Sequence, residues 1–214
     1  YYVSPSAPTG VVLPQSSALV SLQNATGVSF ANTTFLDTTW LFGDDGYTQI
    51  QAGCTNRKDR LAAAPADEDP STACLPTPAA VEVASSREIR FVDCVFRNLG
   101  TSGVHFFGGA HDNAVERSRF FDLSASAVLF GGVDTYNISD PARQDAGLTV
   151  ADCTIHNVGH EYPGNCGITA FYSRGLRVLH NEIFDIPYTG ASLTAPSVSL
   201  PLARCHFCRG GVAA

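Results

Sequence analysis

The segment HNVGHEYPGNCG, residues 156–167, holds the densest group of side chains that could take part in chemistry. His160, Glu161 and Tyr162 stand next to one another in it. An imidazole and a carboxylate can give or take protons, and a tyrosine ring offers an apolar face to a ligand. The segment therefore predicts a ligand-binding loop. The alternative is a solvated loop with Tyr162 packed beneath it.

A repeat in the same chain must position these residues. Its copies are IRFVDCVFRNL from Ile89, NAVERSRFFDL from Asn113, LTVADCTIHNV from Leu148 and LRVLHNEIFDI from Leu176, and a further copy, VSFANTTFLDT, begins at Val28. With the first residue counted as slot zero, slots two, seven and ten of the copies from Ile89 onwards are apolar. Slot five is small or polar in these copies, and slot nine is Asn or Asp. Such a recurring pattern indicates a stacked solenoid.

The alternation of residue types within each copy predicts strands. It breaks at the same place every time, so two short strands are expected to meet at a bend. A third short strand follows each copy, in GVHFF, AVLFG, GITAF and GASL. Three short strands per coil predict an all-β fold, a single-stranded right-handed parallel β-helix. A Greek-key sandwich is the competing fold, but it would not show a fixed column of Cys, Ser and Asn in slot five.

The slots also predict which side chains form the core. Slots zero, two, seven and ten are expected to face one interior. The residues predicted to share it are Ile89, Phe91, Phe96, Val115, Phe120, Val150, Ile155, Val178 and Ile183. In slot five, Cys94 and Cys153 are interpreted as buried packing residues, and polar side chains there are expected to bond along the stack.

The repeat sets the predicted domain organisation. Residues 1–193 are expected to form the β-helix, with an inserted loop at about 41–79, and residues 194–214 an irregular tail that adds no regular coil. Cys54 and Cys74 bracket the polar insertion, and a disulfide between them is predicted.

Composition limits the partners. A net charge of −7 argues against nucleic acid and anionic membranes, which attract clustered Lys and Arg. The chain has no apolar run of the ~20 residues that a membrane helix needs. N-glycosylation sequons at Asn24, Asn32 and Asn137 favour a secreted protein, which we expect to be a monomer. The chain starts at Tyr1 and contains no Met, so the native N-terminus and any signal peptide are expected to be missing.

No metal or cofactor is predicted. Cys205, His206 and Cys208 form a C-x-x-C with an intervening His, but a zinc site needs a second pair of ligands at a suitable spacing. Acidic residues at Asp44 and Asp45, and in the segment 134–140, lie too far apart in coil order to predict a shared calcium site.

Three stretches carry a resemblance to a known family. They are AAVEVASSREIRFVDCVFRNLGTSGVHF, NVGHEYPGNCGITAFYSRGLRVLHNEIFDIPYTGAS, and the early FLDTTW followed by GYTQIQAG. Over about residues 17–193 the chain resembles the right-handed β-helix repeat proteins related to glycoside hydrolase family 141. The resemblance implies a carbohydrate-active domain for plant or algal cell-wall-type polysaccharide. The residues expected to line its sugar cleft are His160, Tyr162, Tyr172, Arg174, His180 and Tyr188, and Glu161 would give or take a proton.

Hydrolysis of a glycosidic bond requires a pair of carboxyl groups, roughly 5 to 9.5 Å apart. Glu161 and Asp185 are the predicted catalytic pair, with Glu182 as a further carboxylate near the tyrosines. Asp185 occupies slot nine, however, where Asn or Asp recurs in every copy, and this regularity favours a structural turn. Tyr162, Tyr172 and Tyr188 are expected to share one groove, since equivalent positions in successive coils are only ~4.8 Å apart.

The chain also departs from the family pattern. A later coil with an Asp-Gly-Gly-Ala-type motif is expected, and TAPSVSLPLARCHFCRGGVAA stands in its place. The chain therefore looks like a fragment or an altered end of an enzyme-like protein, and it could be catalytically incomplete. The alternatives are a non-enzymatic carbohydrate-binding or structural β-helix, and a polysaccharide lyase, which would need a calcium cluster and a basic residue.

Overall fold

The computed structural model describes residues 9–40, 76–132, 140 and 143–193. It also describes the backbone of short strands at 54–56, 74–75, 202–203, 206–208 and 212–213. The described residues form strands and turns and contain no helix. None of them therefore forms a helix long and apolar enough to cross a membrane.

The strands follow one another in groups of three, and each group makes one coil. The first coil contains β1 (Val20–Gln23), β2 (Ser29–Ala31) and β3 (Thr34–Thr38), and the inserted β4 (Cys54–Asn56) and β5 (Cys74–Pro76) follow. The second and third coils contain β6 (Ala79–Ala84), β7 (Arg90–Val92), β8 (Val95–Leu99), β9 (Ser102–Phe107), β10 (Ala114–Glu116) and β11 (Arg119–Leu123). The fourth and fifth contain β12 (Val128–Phe130), β13 (Thr149–Ala151), β14 (Thr154–Val158), β15 (Cys166–Ala170), β16 (Arg177–Leu179) and β17 (Glu182–Phe184). The remaining strands are β18 (Thr189–Leu193), β19 (Leu202–Ala203), β20 (His206–Cys208) and β21 (Val212–Ala213).

Each strand pairs in parallel with the equivalent strand of the next coil, which builds three long sheets. Sheet A has the order β1-β6-β9-β12-β15-β18-β21, sheet B has β2-β7-β10-β13-β16-β19, and sheet C has β3-β8-β11-β14-β17-β20. The predicted all-β, right-handed parallel β-helix with three short strands per coil is confirmed. The chain turns at three kinds of corner, which we name A–B, B–C and C–A after the sheets that they join.

Equivalent slots of the repeat pair without a gap. The slot-two residues pair in sheet B in the order Phe30, Phe91, Val115, Val150, Val178. The slot-seven residues pair in sheet C in the order Phe35, Phe96, Phe120, Ile155, Ile183. All nine residues predicted to share the core are buried in one hydrophobic cluster, so the predicted register is confirmed.

The slot-five residues stack along the B–C corner as the sequence predicts. The backbone N–H of Cys94 donates to Ser118 Oγ at 3.1 Å, and that of Cys153 donates to Asn181 Oδ1 at 2.9 Å. The Asn181 amide also donates to the carbonyl of Val150 at 2.9 Å. Cys94 and Cys153 are buried and carry no disulfide. Polar atoms at this bend are therefore satisfied between coils, which removes the cost of burying them.

The slot-nine residues, near the end of each sheet C strand, adopt a left-handed backbone conformation. In slot nine, φ lies between 49° and 62° for Asp37, Asn98, Asp122, Asn157 and Asp185. Asn and Asp tolerate this region better than other non-glycine residues, because their short polar side chains can bond locally. The recurrence of Asn and Asp in slot nine thus has a structural cause, which applies to Asp185 as well.

Strands continue after Leu193, in contrast to the tail that the sequence predicts. β19 pairs with β16, β20 with β17 and β21 with β18. Leu202 lies opposite Val178 and Phe207 opposite Ile183, so the tail repeats the spacing of slots two and seven. The expectation that no regular coil follows Leu193 is therefore wrong for these strand segments.

The insertion after the first coil contains one antiparallel pair, β4 with β5. Cys54 lies opposite Pro76, and Asn56 opposite Cys74. The side chains of Cys54 and Cys74 lie outside the described residues, as does most of the segment 41–79. Their disulfide and the bounds of the insertion stay predictions.

Candidate functional site

The loop that carries His160, Glu161 and Tyr162 is held against an earlier coil. It runs from Gly159 to Asn165, between β14 and β15 at the C–A corner. The backbone N–H of Tyr162 donates to the carbonyl of Ser124, which follows β11, at 3.0 Å. The buried Asn165 amide donates to the Tyr162 carbonyl at 2.9 Å and accepts from Ser126 Oγ at 3.0 Å. These bonds direct the loop back over the third coil, and we call it the corner loop.

Tyr162 is a packing residue of the corner loop. Its side chain is 8% exposed, and its hydroxyl donates to the carbonyl of Trp40 at 3.0 Å. The two rings lie 5.1 Å apart at 58°. Burial, with a smaller effect of the Glu161 charge, raises the pKa of Tyr162. The prediction that Tyr162 presents its ring to a ligand is therefore wrong, because the ring is used to support Trp40.

A cleft of about 300 Å³ opens beside this aromatic pair, and we call it the corner cleft. It is lined by Thr38, Thr39, Trp40, Asn98, Leu99, Gly100, Asp122, Ser124, His160 and Glu161. Gly100 allows its walls to approach, since a Cβ there would lie 2.9 Å from the carbonyl oxygen of Thr38. The volume is at the lower end of ordinary ligand sites.

Two carboxyl groups border the corner cleft. Glu161 Oε2 accepts a hydrogen bond from Ser124 Oγ at 2.8 Å. Asp122 Oδ1 lies 3.9 Å from His160 Nε2, and both side chains are partly exposed. The Asn98 amide, in the orientation that suits its neighbours, donates to Asp122 Oδ2 at 2.9 Å. The polar neighbours therefore hold both carboxylates in defined orientations.

Asp122 is the carboxylate that sequence reasoning missed, and Asp185 is the one that it chose. Both occupy slot nine, but Asp122 belongs to the third coil and Asp185 to the fifth. Successive strands lie ~4.8 Å apart, so the two positions are separated by roughly 10 Å along the helix axis. Glu161 points back to Ser124 of the third coil, which brings it to Asp122 and away from Asp185. The length of the corner loop is the sequence feature that could have indicated Asp122, since a long loop can fold over a neighbouring coil.

The other predicted cleft residues do not gather in one groove. Tyr172 and Arg174 lie at the A–B corner between β15 and β16, where Tyr172 has a φ of 37°. His180 lies at the B–C corner, with Nδ1 3.5 Å from Asp152 Oδ1. Tyr188 is at the C–A corner, but it precedes β18 and is 41% exposed. A single groove formed by Tyr162, Tyr172 and Tyr188 is thus wrong, because residues close in sequence fall on different corners of the coil.

A second depression of about 510 Å³ lies on the outer face of sheet B, and we call it the sheet B trough. Ala114, Thr149 and Ala151 line it, with Arg90 and Arg177 from flanking strands. Arg90 donates to Glu116 Oε2 at 2.7 Å. Asp112 and Glu116 also line the trough, so acidic and basic side chains occur there together, whereas the described lining of the corner cleft holds no arginine or lysine.

No group of three or more His, Cys, Asp or Glu side chains suited to a metal ion occurs within the described ranges. Asp44, Asp45 and Cys205 lie outside them.

A family model and one solved structure agree with this architecture. A family model described as a right handed beta helix region matches residues 76–207. A solved structure titled as a glycoside hydrolase is similar, with a TM-score of 0.71 and 24% identity, over 85% of this chain and 34% of its own. An alginate lyase from a Paenibacillus species gives a TM-score of 0.28 and 13% identity, over 64% of this chain and 69% of its own. No curated protein sequence matches the chain. The chain spans 34% of the length of that glycoside hydrolase.

Proposed function

Because the chain belongs to the family of right-handed β-helix proteins, we propose that it is a carbohydrate-active domain whose corner cleft binds and hydrolyses a polysaccharide or oligosaccharide. The observation that carries the proposal is the pair of carboxyl groups, Asp122 and Glu161, in one cleft beside an aromatic side chain. This pair replaces the predicted Glu161 and Asp185.

The chemistry expected of such a pair is general. One carboxylic acid protonates the oxygen of the leaving sugar, and the second carboxylate either attacks the sugar or activates a water molecule. The hydrogen bond from Ser124 to Glu161 and that from Asn98 to Asp122 orient these groups. His160, 3.9 Å from Asp122, can add or remove a proton at the edge of the cleft.

Binding relies on the other side chains of the corner cleft. Trp40 is partly exposed and can stack on the apolar face of a sugar ring, while the hydroxyl of the partly exposed Thr39 can bond to sugar hydroxyls. Tyr162 acts indirectly, because it supports Trp40 from below. Tyr172, Arg174, His180 and Tyr188 have no part in this cleft.

The finer assignment also belongs to the proposal. The resemblance to glycoside hydrolase family 141 implies plant or algal cell-wall polysaccharide as substrate. A substrate of this kind lies outside the cell, which favours secretion. Asn24 and Asn32, the sequon residues within the described ranges, are exposed at coil corners, as glycosylation would require.

Hydrolysis of cell-wall glycans, measured as release of reducing ends, tests the proposal. Asp122→Asn and Glu161→Gln should each lower the rate by about 100-fold or more, since each removes a proton-transfer or nucleophilic group. Glu161→Gln should leave glycan binding nearly unchanged. Asp185→Asn is the matched control and should retain full activity, because it alters a slot-nine carboxylate outside the cleft. Full activity in both cleft variants would exclude this pair.

A non-enzymatic glycan-binding domain is the second candidate function. The specific observation in its favour is that Glu161 and Asp122 each accept a hydrogen bond from a neighbouring side chain, as carboxylates with a structural role do. A glycan array separates the two functions. Binding without release of reducing ends in the wild-type protein would favour the binding domain.

A further inference from the structure

The charges around the corner cleft limit the class of sugar that it can accept. Of the described residues that line it, Asp122 and Glu161 are acidic, His160 contributes an imidazole, and none is a lysine or an arginine. The remaining lining is uncharged. Near neutral pH the lining is therefore anionic.

Arg97 is hydrogen-bonded to this lining through Asn98 and is not itself one of the lining residues. Its guanidinium donates to the Asn98 amide oxygen at 3.2 Å, from the row of sheet C that also holds Leu36 and Phe121. Asn98 in turn donates to Asp122. Arg97 is thus connected to Asp122 through the uncharged amide of Asn98.

A uronate or sulfate group in this cleft would meet carboxylates, and the described residues that line it include no lysine or arginine to pair with it. Like charges about 4 Å apart repel even in water. Sugars without acidic groups carry no such penalty. Their hydroxyls can also donate hydrogen bonds to carboxylate oxygens.

We infer that the corner cleft selects glycans without acidic groups and rejects uronate-rich chains. The inference rests on the proposed function, and it names the substrate class of that site. It also argues against lyase chemistry in this cleft. Such a reaction removes the proton next to a uronate carboxylate, and that carboxylate needs a cation beside it.

The single tryptophan of the chain, Trp40, makes a site-specific test possible. Because Trp40 lines the cleft, a change in its emission reports binding there and not at the sheet B trough, whose arginines could hold an acidic glycan separately. The probes are an oligogalacturonate and the same oligosaccharide after chemical reduction of its carboxylates. The pair shares linkages and length and differs in charge.

The reduced oligosaccharide should shift the Trp40 emission, and the native oligogalacturonate should shift it only at concentrations about fivefold higher or more. Glu161→Gln should narrow this difference, because it removes one repelling charge. Asp152→Asn removes an equal charge at the B–C corner and should leave the difference unchanged.

Tighter binding of the oligogalacturonate would overturn the inference while the proposed function stands. If neither neutral nor acidic glycans bind, both on the array and by Trp40 emission, the proposed function is overturned and the inference with it. The inference would also be overturned if Asp152→Asn reduced the difference between the two oligosaccharides as much as Glu161→Gln does. The difference would then reflect the net charge of the protein and not the charge of the cleft.

Discussion

Cys153 shows how neighbouring coils set the properties of one side chain. It is buried in slot five, and its thiol lies 3.2 Å from the carbonyl of Ala151 and 3.6 Å from that of Val115. Burial raises the pKa of Cys153 to about 12, and burial likewise raises the pKa of Cys166 to about 12. Thiolates are the reactive form of cysteine, so both residues should be inert in the folded protein.

The raised thiol pKa values predict a loss of stability in alkali. Below about pH 9 the thiols are protonated in both states. Above it the unfolded chain releases these protons while the folded chain keeps them to about pH 12, so unfolding becomes more favourable as the pH rises. Urea unfolding at a series of pH values should show this fall, and Cys153→Ser should reduce its slope.

Serine is a suitable replacement, because Ser118 occupies the same slot one coil earlier. Cys153→Ser should therefore remain folded at neutral pH. A slope between pH 9 and pH 11 that equals that of the wild-type protein would contradict a buried, protonated Cys153.

At the scale of the element, sheet C is organised by a stack of phenylalanine rings. Phe96 lies 4.7 Å from Phe35 and 4.5 Å from Phe120, with both pairs nearly parallel. The opposite face of the sheet carries a second stack, in which His156 lies between Phe121 and Phe184. One strand thus presents Phe120 to the core and Phe121 to the outside.

These adjacent residues give a matched test of the register. Phe120→Ala should lower the free energy of unfolding by about 3–5 kcal/mol, because it leaves a cavity in the stack. Phe121→Ala removes an equal volume from the half-buried outer face and should cost clearly less. Denaturant titration of the two variants measures the difference. Similar losses would show that the inward and outward faces of β11 are not distinct.

At the scale of the whole molecule, burial changes along the helix axis. In the first coil, Val20, Leu22, Val28 and Phe30 face the core but are only partly buried. Their partners in the second coil, Val81, Val83, Ile89 and Phe91, are completely buried. Each coil of a solenoid contacts only its neighbours, so local stability follows local burial.

Hydrogen exchange should therefore reveal a gradient. Backbone amides of β1 and β2 should exchange faster than those of β9 and β10, because opening these two first-coil strands exposes little additional apolar surface. Peptide-resolved mass spectrometry of the intact protein measures this directly. Uniform protection of both coils would indicate that the β-helix opens as a single unit.

The repeat pattern by itself determined the coil, the register and the core. Local alternation sets which side chains face inward, and the same alternation recurs in every coil, so Phe96 and Ile155 could be assigned to one interior without coordinates. The Asn and Asp of slot nine likewise follow from the left-handed backbone conformation near the end of each sheet C strand. The tail keeps the spacing of slots two and seven in Leu202 and Phe207, but the segment is too short for the repeat to be recognised from the sequence.

Only the tertiary structure decided which residues form the candidate site. The position of Glu161 depends on a loop that folds back to Ser124, and Asp122 joins it from another coil. No local pattern encodes the direction in which a long loop folds, because that direction depends on contacts with residues distant in sequence, such as Trp40. Tyr172 and His180 were wrongly expected in the same cleft as Glu161. Residues a few positions apart in the sequence of a β-helix often lie at different corners of the coil.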